Sequence, residues 1–246
     1  MLFALAIAAF LLGSIPFGVI ICNLKGVDIF AIGSGNIGAT NVIRAVGPTL
    51  GMLVLLLDVA KGFIPGLLSH FLMKGQPYGI DGQTWSFILG SIAILGHMFS
   101  PWIRFRGGKG IATGLGAMLA SIPLTGLLAF LVMIAVTIPS RYVSLGSIIA
   151  ALSTIPISHF VAKDSPQVLP ILIVFNVVVI VKHRANIGRI IDGTESKFRF
   201  KKNESGPPPE NKEEPENEVR KKEDSEPKKD VSESKNAELN DDGNRP

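Results

Sequence analysis

The chain has 246 residues, 47% of them hydrophobic and 18% charged, with mean hydropathy +0.39, formal net charge +4 and pI about 9.2. Those averages join two unlike parts: residues 1–200 hold 14 Lys and Arg against 6 Asp and Glu, whereas residues 201–246 hold 10 against 14. The first part is apolar in runs long enough to cross a bilayer and is poor in carboxylates, which excludes a soluble globular enzyme.

Six apolar stretches stand out: Leu2 to Cys22, Leu50 to Phe71, Trp85 to Phe99, Ile111 to Ile138, Val143 to Val161 and Val168 to Val181. No Lys or Arg precedes Lys25, so the first stretch lacks the basic flank of a secretory signal and is read as a retained membrane helix. The single Cys22 excludes an intramolecular disulfide and is read as a small filler in an apolar helix. The fourth stretch would make a helix of about 42 Å, and it carries Ser121, Pro123, Thr125 and Gly126 at its middle. Charge decides how it folds, because basic residues collect in cytoplasmic loops. With a hairpin at Ser121–Thr125, nine basic residues (25, 44, 104, 106, 109, 141, 182, 184 and 189) face the cytoplasm and two (74 and 163) face out. The expectation is an all-α integral membrane protein of seven transmembrane helices over residues 1–198, with the N-terminus outside and the C-terminus cytoplasmic. The segment 199–246 is too polar to offset the entropy of ordering and reads as a disordered charged tail, a solubilising extension.

In that topology the unusual polar sequence collects on the cytoplasmic side. Between the first two helices runs a segment with Ser34, Gly35, Asn36, Gly38, Thr40, Asn41 and Arg44. Its glycines permit left-handed turns that aim several N–H groups at one anion, with Arg44 as countercharge; a flexible turn is the plainer reading. The spacing fits neither a Walker loop nor a dinucleotide fingerprint. Before the fourth helix, Gly107 and Gly108 let a phosphate approach the backbone at a helix N-terminus, and Lys109 adds a point charge. Arg104 and Arg106, beside Trp102, read as interfacial anchors. Asp58 and Lys61 lie inside the second apolar stretch, three apart on one helical face, and pair either as a structural ion pair or as part of the site. Ser144 and Ser147 share a face of helix six. His183 and Asn186 share a face at the end of helix seven, where both can donate to one phosphate or carbonyl oxygen; a stop-transfer cluster is the alternative. His159 and Asp164 have the His-x4-Asp spacing of a large acyltransferase class, but they fall at the outer end of helix six, away from the glycine-rich loops.

Taken in order and spacing, Gly33 to Val42, Asp58 to Gly62, Gly96-His97 with Gly107 to Gly110, Arg141 to Ser147 and His183 to Asn186 resemble the bacterial membrane family of acyl-phosphate:glycerol-3-phosphate acyltransferases. The resemblance implies a multi-pass enzyme of the bacterial inner membrane whose active site faces the cytoplasm. Such an enzyme moves a fatty acyl group from acyl phosphate to the sn-1 hydroxyl of glycerol 3-phosphate and releases lysophosphatidic acid and phosphate. It implies catalytic roles for Lys109, His183 and Asn186 and substrate contacts from Ser34, Arg44 and Ser147, with Asp58, Lys61, His97, Arg141 and Ser144 in support. The partners are the two substrates, the bilayer and the soluble enzyme that makes acyl phosphate; no nucleic acid, metal or cofactor is implied. Phosphate substrates call for a site of cations and N–H donors without carboxylates. The general base is either His183 or a substrate phosphate. A small anion transporter is the rival reading, but such a protein should show internal symmetry and helix breaks near the midplane.

Overall fold

The structure is a computed structural model describing residues 2–73 and 77–198. The chain divides into two units, Met1–Phe200 and Lys201–Pro246, and the second lies outside the described residues. The reading of 199–246 as a disordered tail and the outer placement of Lys74 therefore fall on residues that the structure does not describe.

The described residues contain α-helices, short 3-10 turns, one π-helical segment and no strand. The α-helices are α1 (Leu2–Ser14), α2 (Phe17–Asn23), α3 (Ala39–Val46), α4 (Pro48–Leu72), α5 (Gly82–Met98), α6 (Ile111–Ser121), α7 (Pro123–Ser140), α8 (Val143–Pro156), α9 (Val168–Lys182) and α10 (Arg184–Ile191). Five stretches are long and apolar enough to cross a membrane, or six if the bent pair α9 and α10 counts as one. α6, with 11 residues, is about 16 Å long and shorter than a bilayer core.

The expected first helix is broken. Pro16 has no N–H to continue the ladder, and the carbonyls freed around it find other donors: Lys61 Nζ donates to the Ile15 oxygen at 3.0 Å and Ser100 Oγ to the Ser14 oxygen at 2.6 Å. A proline break is tolerated in a membrane helix when side chains satisfy the backbone in this way. The fourth stretch is a hairpin, as charge parity required. Pro123 starts α7, and a Cβ on Gly126 would sit 2.9 Å from Met118 Cβ, so α7 folds straight back along α6. The sixth stretch also differs from the expected single helix: it runs as α8 to Pro156 and then as a π-helical turn over Ile157–Ala162, because Pro156 interrupts the i to i+4 bonding.

Small residues bring the helices together. A Cβ on Gly62 would lie 2.0 Å from the Thr113 oxygen, and one on Gly116 would lie 1.9 Å from the Val59 oxygen, so α4 and α6 cross backbone to backbone. Phe87, Ile94, Ala117, Met118, Leu172, Phe175 and Val179 fill the interior between α5, α6 and α9, while Leu56, Leu124, Leu131, Val174 and Val177 lie exposed on the outside. One end of the bundle is closed by a polar clasp. Thr125 Oγ1 donates to Asp164 Oδ2, Ser165 N to Gln83 Oε1, and Ser165 Oγ to Asp81 Oδ2. This clasp joins the hairpin turn to the loops before α5 and α9. The glycine-rich loops and basic segments collect at the opposite end.

Candidate active site

The loop from Gly33 is built on its own hydrogen bonds. Gly33 and Gly35 take the left-handed φ that glycine permits, 55° and 63°, whereas Gly38 does not. Asn41, buried, accepts from the Ser34 N–H at 3.2 Å and donates to the Ile29 and Ile32 oxygens at 3.3 and 2.9 Å. Asn36 accepts from the Gly38 N–H at 2.9 Å. Asn36 and Asn41 thus shape the loop, and with the Gly35 N–H bonded to the Ile32 oxygen at 2.9 Å, three of the N–H groups expected to meet a ligand are already used. Ser34 stays exposed and Gly35 and Thr40 half-buried. Arg44 runs beside Gly33, where a Cβ would meet Arg44 Cδ at 3.5 Å, and its Nη2 donates to the Ser196 oxygen at 3.4 Å.

Lys109 leaves the loop before α6 and donates to Asn186 Oδ1 at 2.5 Å. Gly107 and Gly108 serve a different purpose from the expected phosphate approach. A Cβ on Gly107 would stand 2.1 Å from the His97 oxygen, one on Gly108 would stand 2.1 Å from His97 Nε2, and the Gly108 N–H donates to the His97 oxygen at 3.1 Å. These two glycines are small so that the loop can lie against α5. Behind them, Asp58 and Lys61 form the expected buried pair at 2.8 Å, and Asp58 Oδ1 is 3.8 Å from His97 Nδ1.

The pair His183 and Asn186 also differs from expectation. They do not share a face at the end of one long helix: the chain bends by 55° between α9 and α10, His183 sits at the bend with φ −96° and ψ 3°, and Asn186 belongs to α10. The His183 ring folds back on α9, Nδ1 lying 2.8 Å from the Val179 oxygen. Because a carbonyl only accepts, Nδ1 carries the proton, and the neutral ring presents a bare Nε2. Burial, then the charge of Lys109, push the imidazole down to about 4, against the Val179 hydrogen bond and Glu195. The ring is therefore neutral at physiological pH.

Glu195 is the residue that sequence reasoning missed. Its carboxylate accepts from Ser144 Oγ at 2.6 Å, Asn186 Nδ2 at 2.7 Å and Arg189 Nε at 2.7 Å. Burial works against its charge, yet those three donors hold the carboxyl below its usual range. The expectation of a site without carboxylates is thus corrected: one acid stands among Lys109, Arg189 and Arg44 and orders their neighbours. Burial pushes Lys109 down to about 8, with Glu195 opposing and Arg189 and Arg44 reinforcing the shift. Its one mark in the sequence is that it is the single Glu among residues 1–200 and follows Arg189 by six residues. Ser144 is committed to Glu195, while Ser147 Oγ donates to the Val143 oxygen of its own helix at 2.8 Å. Arg141 is exposed in a left-handed conformation, φ 62°, and its carbonyl accepts from the Phe198 N–H at 2.7 Å. His159 is exposed and stacked edge-on against Phe160, while Asp164 bonds Thr125, so the two make no catalytic pair.

Most of the chain matches known proteins. The profile described as glycerol-3-phosphate acyltransferase matches residues 3–193. A glycerol-3-phosphate acyltransferase of Aquifex aeolicus (strain VF5) is 45% identical over 194 residues, which is 79% of this chain and 97% of the relative. Two crystal structures of PlsY (YgiH), an integral membrane glycerol 3-phosphate acyltransferase, are 44% identical and each covers 80% of this chain and 95% of its own. The glycerol 3-phosphate form superposes with TM-score 0.73 and the lysophosphatidic acid form with 0.71. The chain is therefore an integral membrane acyltransferase and belongs to the glycerol-3-phosphate acyltransferase family.

Proposed function

We propose that the chain transfers a fatty acyl group from acyl phosphate to the sn-1 hydroxyl of glycerol 3-phosphate, giving lysophosphatidic acid and inorganic phosphate. The observation that carries this reading is the convergence of Lys109, Asn186, His183 and Arg189, with Arg44 at the edge, at one end of an apolar bundle. Two phosphate groups and one acyl tail are the ligands that such a polar end on a lipid-facing body suits. The related PlsY was solved in glycerol 3-phosphate and lysophosphatidic acid forms, which supports the acceptor and the product.

In the reaction the hydroxyl oxygen attacks the acyl carbonyl carbon, the carbon–oxygen bond to phosphate breaks, and phosphate leaves. Acyl phosphate is already activated, so the enzyme mainly holds the two groups together and stabilises the departing anion. Lys109 and Arg44 supply that stabilisation. Asn186 spends its amide oxygen on Lys109 and its amide nitrogen on Glu195, which sets the direction of the ammonium. His183, pushed down to about 4, is a weaker base than a phosphate monoester, whose second ionisation lies near 6. A substrate phosphate therefore takes the proton of the attacking sn-1 hydroxyl, and the bare Nε2 accepts from the neighbouring sn-2 hydroxyl of glycerol 3-phosphate, which aims the attacking oxygen. Ser34, Gly35, Gly38, Thr40 and Ser147 line the approach to the phosphates in this reading.

In this reading seven passes set the two ends on opposite sides, with the N-terminus outside and the site on the cytoplasmic face of the bacterial inner membrane, where the soluble enzyme that makes acyl phosphate can deliver it. The charge asymmetry of the loops supports this orientation. The test is purified full-length protein in detergent with labelled glycerol 3-phosphate and either acyl phosphate, acyl-CoA or acyl carrier protein. Lysophosphatidic acid from acyl phosphate alone, cut to a small residual rate in Lys109→Ala, is the expected result. No product from acyl phosphate overturns the reaction, and equal rates with acyl-CoA overturn the donor.

A further inference from the structure

Lys109 is the only residue from Gly107 to Gly110 that carries a side chain, and its three neighbours are all pressed onto the last turn of α5. Gly107 lies on the His97 and Met98 backbone. Gly108 lies on the His97 ring, and Gly110, at φ 79°, lies on the Met98 side chain, where a Cβ would come within 2.5 Å of Cε. The Gly108 N–H is tied to the His97 carbonyl at 3.1 Å. The corner is fixed from two further directions: Lys182 Nζ of α9 donates to the Met98 oxygen at 2.9 Å, and the Asp58–Lys61 pair of α4 lies behind the His97 ring. His97 is 4% exposed, and its Nδ1 has no hydrogen-bond partner, since the approach to Asp58 at 3.8 Å is too long. A buried polar atom without a partner is a standing cost, so the worth of this ring lies in its shape and its place against Gly108.

We propose that His97 is the positioning residue for Lys109: its ring and carbonyl seat Gly108 and so set where the Lys109 ammonium meets Asn186 and the substrate phosphate. This rests on the phosphate role given to Lys109 above. Gly107 and Gly108 are then small for the sake of His97 and not for a ligand, and any side chain at 108 must displace either the ring or the lysine.

The test uses full-length protein in detergent with acyl phosphate and labelled glycerol 3-phosphate. Gly108→Ala should lower kcat/KM about 100-fold, the cost of roughly 1 Å of misplacement, and His97→Ala about tenfold. In the double variant the space left by the ring admits the new Cβ, so activity should rise about tenfold above Gly108→Ala alone. A second cycle separates positioning from general damage to the fold: Gly108→Ala or His97→Ala placed on Lys109→Met should cost nothing further. Full activity in Gly108→Ala overturns the proposal, as does a double variant whose loss is the product of the single losses. If Gly108→Ala proves polydisperse, His97→Ala on Lys109→Met decides alone, and a further loss there counts against positioning. Full activity in Lys109→Met instead overturns the role of the lysine, a separate failure.

Discussion

Lys109, pushed down to about 8 by burial and by its neighbours, makes the reaction sensitive to alkaline pH. If the ammonium is the form that holds the departing phosphate, kcat/KM is highest below pH 8 and falls about tenfold per unit above it. Glu195 is the carboxylate that keeps the lysine charged, and Glu195→Gln removes it with little change in shape. The two charges are joined through Asn186 by contacts of 2.5 and 2.7 Å, which puts them about 6 Å apart across one carboxamide. With an effective dielectric between about 20 and 80, that pair is worth roughly 0.7 to 2.8 kcal/mol, or about 0.5 to 2 pKa units. The alkaline limb should therefore move down by about one unit in Glu195→Gln, and at pH 8 the charged fraction should fall from about half to about one tenth. The assay is kcat/KM for lysophosphatidic acid formation from pH 6 to 10, compared with Lys109→Met. Stability runs the other way for this group. Between its folded value and the ordinary lysine value near 10.4, the unfolded chain binds the extra proton, so Lys109 favours folding more as pH rises. Loss of rate without loss of melting temperature is thus the signature. A wild-type profile flat from pH 7 to 10, or a limb that moves upward in Glu195→Gln, refutes the reasoning.

Three further outcomes are expected. In Asp58→Asn the Lys61 ammonium keeps its buried place without its partner, at a cost of about 3–5 kcal/mol, so the melting temperature in detergent falls; Asp58→Asn with Lys61→Met recovers most of it. His183→Ala should lower kcat about 100-fold with little change in KM for glycerol 3-phosphate, and the acid limb that the substrate phosphate sets near pH 6 should persist in the variant, because the ring is pushed down to about 4. An inflection there that vanishes in the variant, or a loss of glycerol 3-phosphate affinity, would make the ring a phosphate ligand. Truncation after Phe198, which keeps the N–H that Arg141 accepts, should leave the specific activity in membranes unchanged; a marked loss gives the acidic tail a role in the reaction.

Much of this protein was legible locally. The hairpin between α6 and α7 follows from Ser121, Pro123 and the charge of the loops, and the Asp58–Lys61 pair follows from a spacing of three in an apolar helix. Gly33 and Gly35 announced left-handed turns and took them. These features depend on helical period, backbone sterics and the cost of charge in lipid, each of which acts within a few residues. The tertiary structure alone decided what those features serve. Lys109 meets Asn186 across 77 residues, Ser144 meets Glu195 across 51, and Arg44 meets Ser196 across 152. Composition made the site look free of acids, because it counts charges without saying which one the fold carries inward. The glycines at 107 and 108 read as room for a phosphate, and they turned out to be room for a histidine. The bend at His183, which parts it from Asn186 and commits its Nδ1 to Val179, has no proline or glycine at the break to mark it. Close approach, burial and hydrogen-bond partners are set by which helices pack together, and that is a property of the whole bundle.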